Sequence, residues 1–367
     1  MVTGPAGEVV LSWLERTETG NALSFSTLGD TGWSEKRTIT SADNWFVNWA
    51  DFPSVVPLSD HLWAAHWLAS QPAGGYAYDV VAALSLDGGE TWSEAFIPHT
   101  DGTPTEHGFV TLFPDGAGLG MVWLDGRKMV NEYDENDVAS SGMTLRAATF
   151  GSDRLPIGEA LVDDLTCDCC QTDVALTAEG PVVVYRDRTT DETRDIYVSR
   201  REFGEWQPGT AVSDDDWEIP ACPVNGPIIR ADGKTVAVAW FTAADDQPMV
   251  KVAWSGDSAR SFSTPIVVDA ERPLGHVGAA LLPDGDLAVT WHRAAGQGGA
   301  SLMLARVDRN FGVVATYPLV AAADVFAFSV PQLVASGDDL IAVWTTETDG
   351  EFGIRSARIP LQLVGPK

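Results

Sequence analysis

Short apolar runs of strand length recur along this chain, each broken by a polar or glycine-containing turn. One such run, an alternating apolar segment closed by an aromatic residue, appears at 8–13, 62–67, 118–123, 181–185, 235–240, 286–291 and 340–344. The closing aromatics are Trp13, Trp67, Trp123, Tyr185, Trp240, Trp291 and Trp344, and they stand 54, 56, 62, 55, 51 and 53 residues apart. Every run but the first follows a shorter strand pattern ending in a turn, as in GFVTLFPDG at 108–116 and VGAALLPDG at 277–285. A third strand pattern comes after it, as at 78–85, 143–150, 250–255 and 353–359, and usually a fourth, as at 264–269.

Apolar runs of this length, punctuated by Gly, Pro and Asp, predict strands rather than helices. Four antiparallel strands repeated about every 50 residues predict an all-β fold, a β-propeller of seven blades with four strands each, spanning 1–367 as a single domain. Six blades with one irregular unit is the alternative count. A solenoid would carry distinct polar capping repeats at both ends, and none is present. The first unit lacks an innermost strand of its own, so either residues 1–7 supply it or residues 359–364 close the ring.

Composition narrows the partners. Apolar residues make up 45% of the chain and charged residues 20%, which suits a packed core. With 52 acidic against 23 basic residues the net charge is −29, so nucleic acid is excluded as a partner, because phosphate binding needs a basic surface. No run approaches the ~18 apolar residues of a membrane span. Met1 leads almost directly into the strand at 9–13 with no basic-then-apolar leader pattern, which reads as a trimmed leader and an expected secreted or periplasmic location.

Between the third and fourth strands of the second unit stands Ser85-Leu-Asp87-Gly-Gly89-Glu-Thr91-Trp92, an SxDxGxTW turn. Gly suits positive dihedrals in such a turn, and Asp caps nearby amides. A worn copy, Ser255-x-Asp257-x-Ala259-x-Ser261-Phe262, holds the same place in the fifth unit. These segments resemble the Asp boxes of the sialidase and BNR-repeat superfamily of propellers. The chain looks closest to bacterial sialidase-like proteins sharing NWADFPSV, WLDGR, CDCCQTD, YRDR and CPVNGP, present here at 48–55, 123–127, 167–173, 185–188 and 222–227. The resemblance implies a glycosidase scaffold, in which sialidases use three arginines, a Tyr paired with a Glu, an Asp acid/base and an early Arg-Ile/Leu-Pro motif. The only Arg-Leu-Pro here, Arg154 to Pro156, lies late in the chain and preceded by Asp153, so that arginine is not carried over.

Propeller geometry places loops entering innermost strands and loops leaving second strands on one face, near the central channel. The first set holds Asn48, Asp51, Glu106, His107, Cys167, Cys169, Cys170, Gln171, Asp173, Cys222, Asn225, Arg272 and His276. The second holds Asp125, Arg127, Arg186, Asp187, Arg188, His292 and Arg293. Hydrolysis of a glycoside needs paired carboxylates, for which Asp51, Glu106, Asp125 and Asp173 are the candidates. Arg127, Arg186, Arg188 and Arg293, with Arg272 and Asn225, are the candidates for holding an acidic sugar or another anion. The opposing reading is that each arginine is balanced by an acid and ties adjacent blades together.

Cys167, Cys169, Cys170 and Cys222 have two readings. Thiolates, completed by His107, would hold zinc or copper. Disulfides are the alternative, with a clasp from Cys169 or Cys170 to Cys222, and CxCC departs from the usual CxxC zinc spacing. The acidic run at 132–137 is a candidate calcium loop without full EF-hand spacing. Two functions therefore stand: a glycoside hydrolase acting on an acidic sugar, and a non-hydrolytic propeller binding a soft metal or a partner through its cysteine-bearing face.

Overall fold

A computed structural model describes residues 1–131, 142–296, 299–321 and 325–365 of the chain. Its strands form seven small antiparallel sheets, and the fold is a seven-bladed β-propeller. The chain divides into two compact units, Met1–Asp168 and Cys169–Lys367.

The first unit holds three blades. Val2–Thr3, Val9–Thr17 and Gly20–Gly29 build the first, with Gly32–Trp33 and Arg37–Ala42 along its outer side. Val2 pairs with Val10 and Thr3 with Val9, so residues 1–7 do supply the missing innermost strand. Ser54–Pro57, Trp63–Ser70 and Tyr78–Ser85 make the second blade. Its expected fourth strand is reduced to a bridge between Ala82 and Phe96. Pro98, just beyond that bridge, lacks the amide a longer ladder would need. The third blade has the full four strands, His107–Asp115, Gly118–Asp125, Met143–Phe150 and Pro156–Thr166.

Four blades lie in the second unit. The fourth comprises Asp173–Thr177, Gly180–Arg186 and Ile196–Glu202, bordered by Glu205–Trp206 and Thr210–Ala211. The fifth is Ile228–Asp232, Thr235–Thr242, Met249–Ser255 and Ile266–Asp269, and the sixth Pro273–Leu281, Leu287–Ala294, Ala300–Asp308 and Gly312–Val320. Gln332–Ser336, Asp339–Thr348 and Glu351–Pro360 form a three-stranded seventh blade. Ile359 pairs with Leu340 inside that blade.

The aromatic repeat maps onto the second strand of every blade. Trp123, Trp240 and Trp291 are fully buried, and all eight residues of Gly118–Asp125 are enclosed on both faces. A strand covered on both sides by packed neighbours need not alternate, which explains the near-continuous apolar runs. Each such tryptophan withdraws enough apolar surface to contribute ~2–3 kcal/mol before entropic costs. Trp123 packs with Leu62, Ala64, Leu68 and Tyr78 of the second blade and Leu119 and Met121 of its own strand.

The Ser85–Trp92 turn is held by its own side chains. Ser85 Oγ accepts the Gly89 amide at 2.8 Å, and Asp87 accepts Thr91 Oγ1 at 2.6 Å and the Thr91 amide at 2.9 Å. Those hydrogen bonds, from the Thr91 side chain above all, hold the Asp87 carboxyl down at about 2. Gly89 has φ +85, which favours glycine, and a Cβ there would press on the Trp63 ring at 3.0 Å. Ser255 and Asp257 repeat the arrangement around Ala259 and Ser261.

Candidate functional site

Three of the loops that lead into innermost strands end on the same device. Asp51 Oδ1 accepts the Phe109 amide at 2.8 Å, Asp173 Oδ2 accepts the Ile229 amide at 3.0 Å, and Asn225 Oδ1 accepts the His276 amide at 2.7 Å. The partners are 58, 56 and 51 residues apart, one blade period, so each side chain fastens the innermost strand of the following blade. Phe109 and His276 both have positive φ, 51° and 54°, and each follows a glycine, Gly108 or Gly275, that lies against the accepting side chain. Asp173 also takes Arg230 Nη1 at 2.7 Å. Asn225 donates to the carbonyls of Pro223 and Leu274 at 3.1 and 3.3 Å.

Asp51 does more than fasten a strand. Its second oxygen lies 2.8 Å from the Tyr78 hydroxyl, which lies 2.8 Å from Glu106 Oε1. Asp51 and Tyr78 are buried, whereas Glu106 is half-buried. Burial pushes Asp51 up to about 7 against the pull of the Phe109 amide and Tyr78. Burial, together with the charges of Asp51 and Glu106, drives the Tyr78 phenol far above its ordinary value. One phenolic proton cannot serve two carboxylates. A protonated Asp51 resolves this by donating to Tyr78, which donates to Glu106. A Cβ on Gly108 would collide with Asp51 and come within 2.8 Å of the Tyr78 hydroxyl, so the trio requires glycine there. Phe46 stacks on Tyr78 at 4.0 Å and meets the exposed Tyr76 at 5.8 Å, and Trp49 and Phe52, in the segment that carries Asp51, are exposed as well.

A second cluster lies in the same unit. Asp125, buried at the end of its strand, accepts Trp123 Nε1 at 2.9 Å and grips Arg127 through two bonds of 2.7 Å. Burial alone would raise its carboxyl, but Arg127 holds it below the usual range. Arg127 also reaches Glu159 at 2.9 Å and Asp101 at 3.5 Å. His107 is fully buried, with Nε2 3.2 Å from Asp101 Oδ2 and 3.9 Å from Asp125 Oδ2. His99 stacks on it at 3.9 Å with the rings 2° from parallel, between Asp79 and Asp101. Burial and the neighbouring His107 push His99 below its ordinary value.

Arg186, Arg188 and Arg293, in the second unit, are taken up by near neighbours. Arg186 is buried and donates to the carbonyls of Asn225, Arg194 and Phe241 at 3.0, 2.7 and 2.7 Å, with its guanidinium 4.9 Å from the Trp217 ring centre. Its burial lowers it to about 9. Arg188 pairs with Glu192 at 2.6 Å, and Arg293 with Asp269 at 2.8 Å and Glu271 at 3.1 Å. Arg272 is exposed, and its side chain has no hydrogen bond or ion pair among the described residues.

Cys169 is bonded to Cys222 with their Cα atoms 6.1 Å apart, the interblade clasp of the disulfide alternative. Cys167 and Cys170 are disulfide-bonded too, and no cysteine is free. In this state the sulfurs offer no thiolate for zinc or copper, and His107 turns to Asp101 and Asp125. The acidic run at 132–137 lies outside the described residues.

Asp51 and Glu106 are thus brought together, as are His107, Asp125 and Arg127, Arg186 with Asn225, and Cys169 with Cys222. Sequence reasoning missed Tyr78, Asp79, His99 and Asp101. Tyr78 opens the third strand of its blade, at the same end where the second strand closes, and that position was the available signal. His99 and Asp101 belong to the long approach to His107.

No protein-family model matches the sequence, and no curated protein does. Solved structures do share the fold. A lectin, BP39L, from Burkholderia pseudomallei is 12% identical with a TM-score of 0.61, over 97% of this chain and 93% of that one. The NanB sialidase of Streptococcus pneumoniae is 11% identical with a TM-score of 0.50, over 98% and 68%. A puromycin-hydrolyzing peptidase from Mycobacterium tuberculosis is 13% identical with a TM-score of 0.51, over 97% and 54%, so this chain spans about half of it. Likeness at such identity establishes the propeller and no activity.

Proposed function

We propose that this protein is a carbohydrate-active propeller, a glycoside hydrolase whose acid/base is Glu106. The observation that carries the reading is the Tyr78 hydroxyl 2.8 Å from both Asp51 and Glu106, with Asp51 raised by burial to about 7. A carboxyl that stays protonated near neutrality is the reservoir a general acid needs. Asp51 passes its proton to Tyr78 as Tyr78 releases one to Glu106. Glu106, the least enclosed of the three, delivers it to the glycosidic oxygen as the glycosidic bond breaks to an oxocarbenium-like sugar and the alcohol leaves, and the Glu106 carboxylate so formed takes the proton of the water that adds to the anomeric carbon. Exposed Trp49, Phe52 and Tyr76 supply ring faces against which sugar rings stack. The lectin and sialidase among the structural neighbours support a sugar ligand.

The fully bonded cysteines support a secreted or periplasmic location, where disulfides persist. A second reading, sugar binding without turnover, draws on the complete enclosure of Tyr78 and the engagement of Asp51 with Phe109.

A panel of aryl glycosides, uronides and sialosides tests both. The hydrolase reading expects turnover that drops about 10²-fold or more in Glu106→Gln, with folding unchanged. Glycan binding with no turnover on any member selects the second reading, and neither binding nor turnover overturns both.

A further inference from the structure

The cluster around His99 is not used by the proposed hydrolysis, and its hydrogen bonding is incomplete in an informative way. His107 Nδ1 faces two carbonyl oxygens, those of Thr105 at 3.1 Å and Tyr78 at 3.2 Å. Carbonyls only accept, so Nδ1 carries the hydrogen, and Nε2 faces Asp101 Oδ2 at 3.2 Å. His99 has no such partners. Its side chain is almost fully enclosed, neither ring nitrogen makes a hydrogen bond, and carboxylate oxygens stand 3.3 Å from Nδ1 (Asp101) and 3.6 Å from Nε2 (Asp79). Buried polar atoms without partners are rare and call for an explanation.

Charge points the same way. Asp79, Asp101 and Asp125 bring three negative charges, and Arg127 answers with one positive charge from beside Asp125 and Asp101. Three carboxylates against one guanidinium in a largely enclosed space favour a further cation, because an unpaired charge is costly there.

We infer that Asp79, His99 and His107, with Asp101 as their outer partner, form a binding site for a zinc-class divalent ion. One ligand atom each from Asp79, His99 and His107 lies within 4.8 Å of the other two. Around a tetrahedral ion with ~2.0–2.1 Å bonds, ligand atoms sit about 3.3 Å apart, close to the 3.6 Å separation of His99 Nε2 from Asp79. The backbone carbonyls on His107 Nδ1 and the Asp101 oxygen beside His99 Nδ1 stand where outer partners orient metal-bound imidazoles. Two nitrogens with one carboxylate favour zinc or a neighbouring transition ion over calcium, which takes oxygen alone. The rings now lie parallel, so loading tilts His99 out of the stack. Asp125, already filled by Trp123 and Arg127, braces the site.

The test uses the full chain, with its disulfides intact and previously stripped by chelator, titrated calorimetrically with Zn²⁺ alone and followed with Co²⁺ by visible absorption. One ion per chain and a Co²⁺ spectrum of four-coordinate N/O ligation are expected. Asp79→Asn and His99→Gln should each weaken Zn²⁺ binding at least 10-fold while keeping the wild-type circular dichroism. No uptake, uptake equal in both variants, or uptake only after the disulfides are reduced would each overturn the assignment. The result is independent of whether the protein cleaves a glycoside.

Discussion

Asp51 accepts the backbone N–H of Phe109, a residue 58 positions further along the chain, and through that one bond the approach to the second blade fixes the start of the third. Removing the acceptor strands a buried amide, which costs about 1–3 kcal/mol. Asp51→Ala is therefore expected to lower the denaturation midpoint by at least that equivalent, and Asp51→Asn, which keeps an acceptor oxygen, by clearly less. Gly108→Ala should resemble Asp51→Ala, because its methyl group occupies the space of the Asp51 carboxylate. Equal midpoints for all three variants and wild type would sink this account.

Stability should fall on acidification. Burial lowers His66 to about 3 and His276 and His292 to about 4, so the unfolded chain binds protons more readily than the fold between pH 6.5 and 4. Their contribution is complete above pH 6.5 and is lost as pH drops through that window. Asp51, raised to about 7, acts in the opposite sense, since its protonated form favours the fold below neutrality. Three groups outweigh one, so melting temperature should decline from pH 7 to pH 4, more steeply in Asp51→Asn than in wild type. Thermal melts at half-unit intervals check both statements.

Arg186 looks from sequence like a substrate clamp and is built as an internal brace. Truncating it leaves the carbonyls of Asn225, Arg194 and Phe241 without their donor. Arg186→Ala is expected to destabilise by about 3–5 kcal/mol, as do other broken buried charge sites. Arg186→Lys should recover only part of this, lacking the planar fork that reaches three oxygens. Urea titration gives the midpoints, and an Arg186→Ala protein as stable as wild type would refute the role.

Cys169 and Cys222 close a loop of sequence separation 53. The chain-entropy model assigns such a closure about 4 kcal/mol at 25 °C. Cys222→Ser should lower the midpoint by up to that amount, with little change in the fold seen by circular dichroism.

The repeat of strand-end aromatics displayed the blades because each period writes the same burial requirement into the same strand. The candidate site was legible only where loops carry it, at Asp51, Glu106, Asp125 and His107. Tyr78 stayed hidden because an aromatic at a strand start reads as core, and its partners lie 27 and 28 residues away in opposite directions. Arg186 stayed open between an anion clamp and a tie between blades for a different reason. Its acceptors are main-chain oxygens, which leave no trace in residue identity. Two aspartates, Asp51 and Asp173, and an asparagine, Asn225, do one task, and only the three amides they receive reveal the equivalence.

The sulfur bridge has a topological consequence. Positions 169 and 222 bracket all the strands of the fourth blade, so that blade is a closed covalent ring within the chain. A protease that cuts one peptide bond between them releases no fragment, and the cleaved product keeps its mass on a gel until a reductant opens the ring.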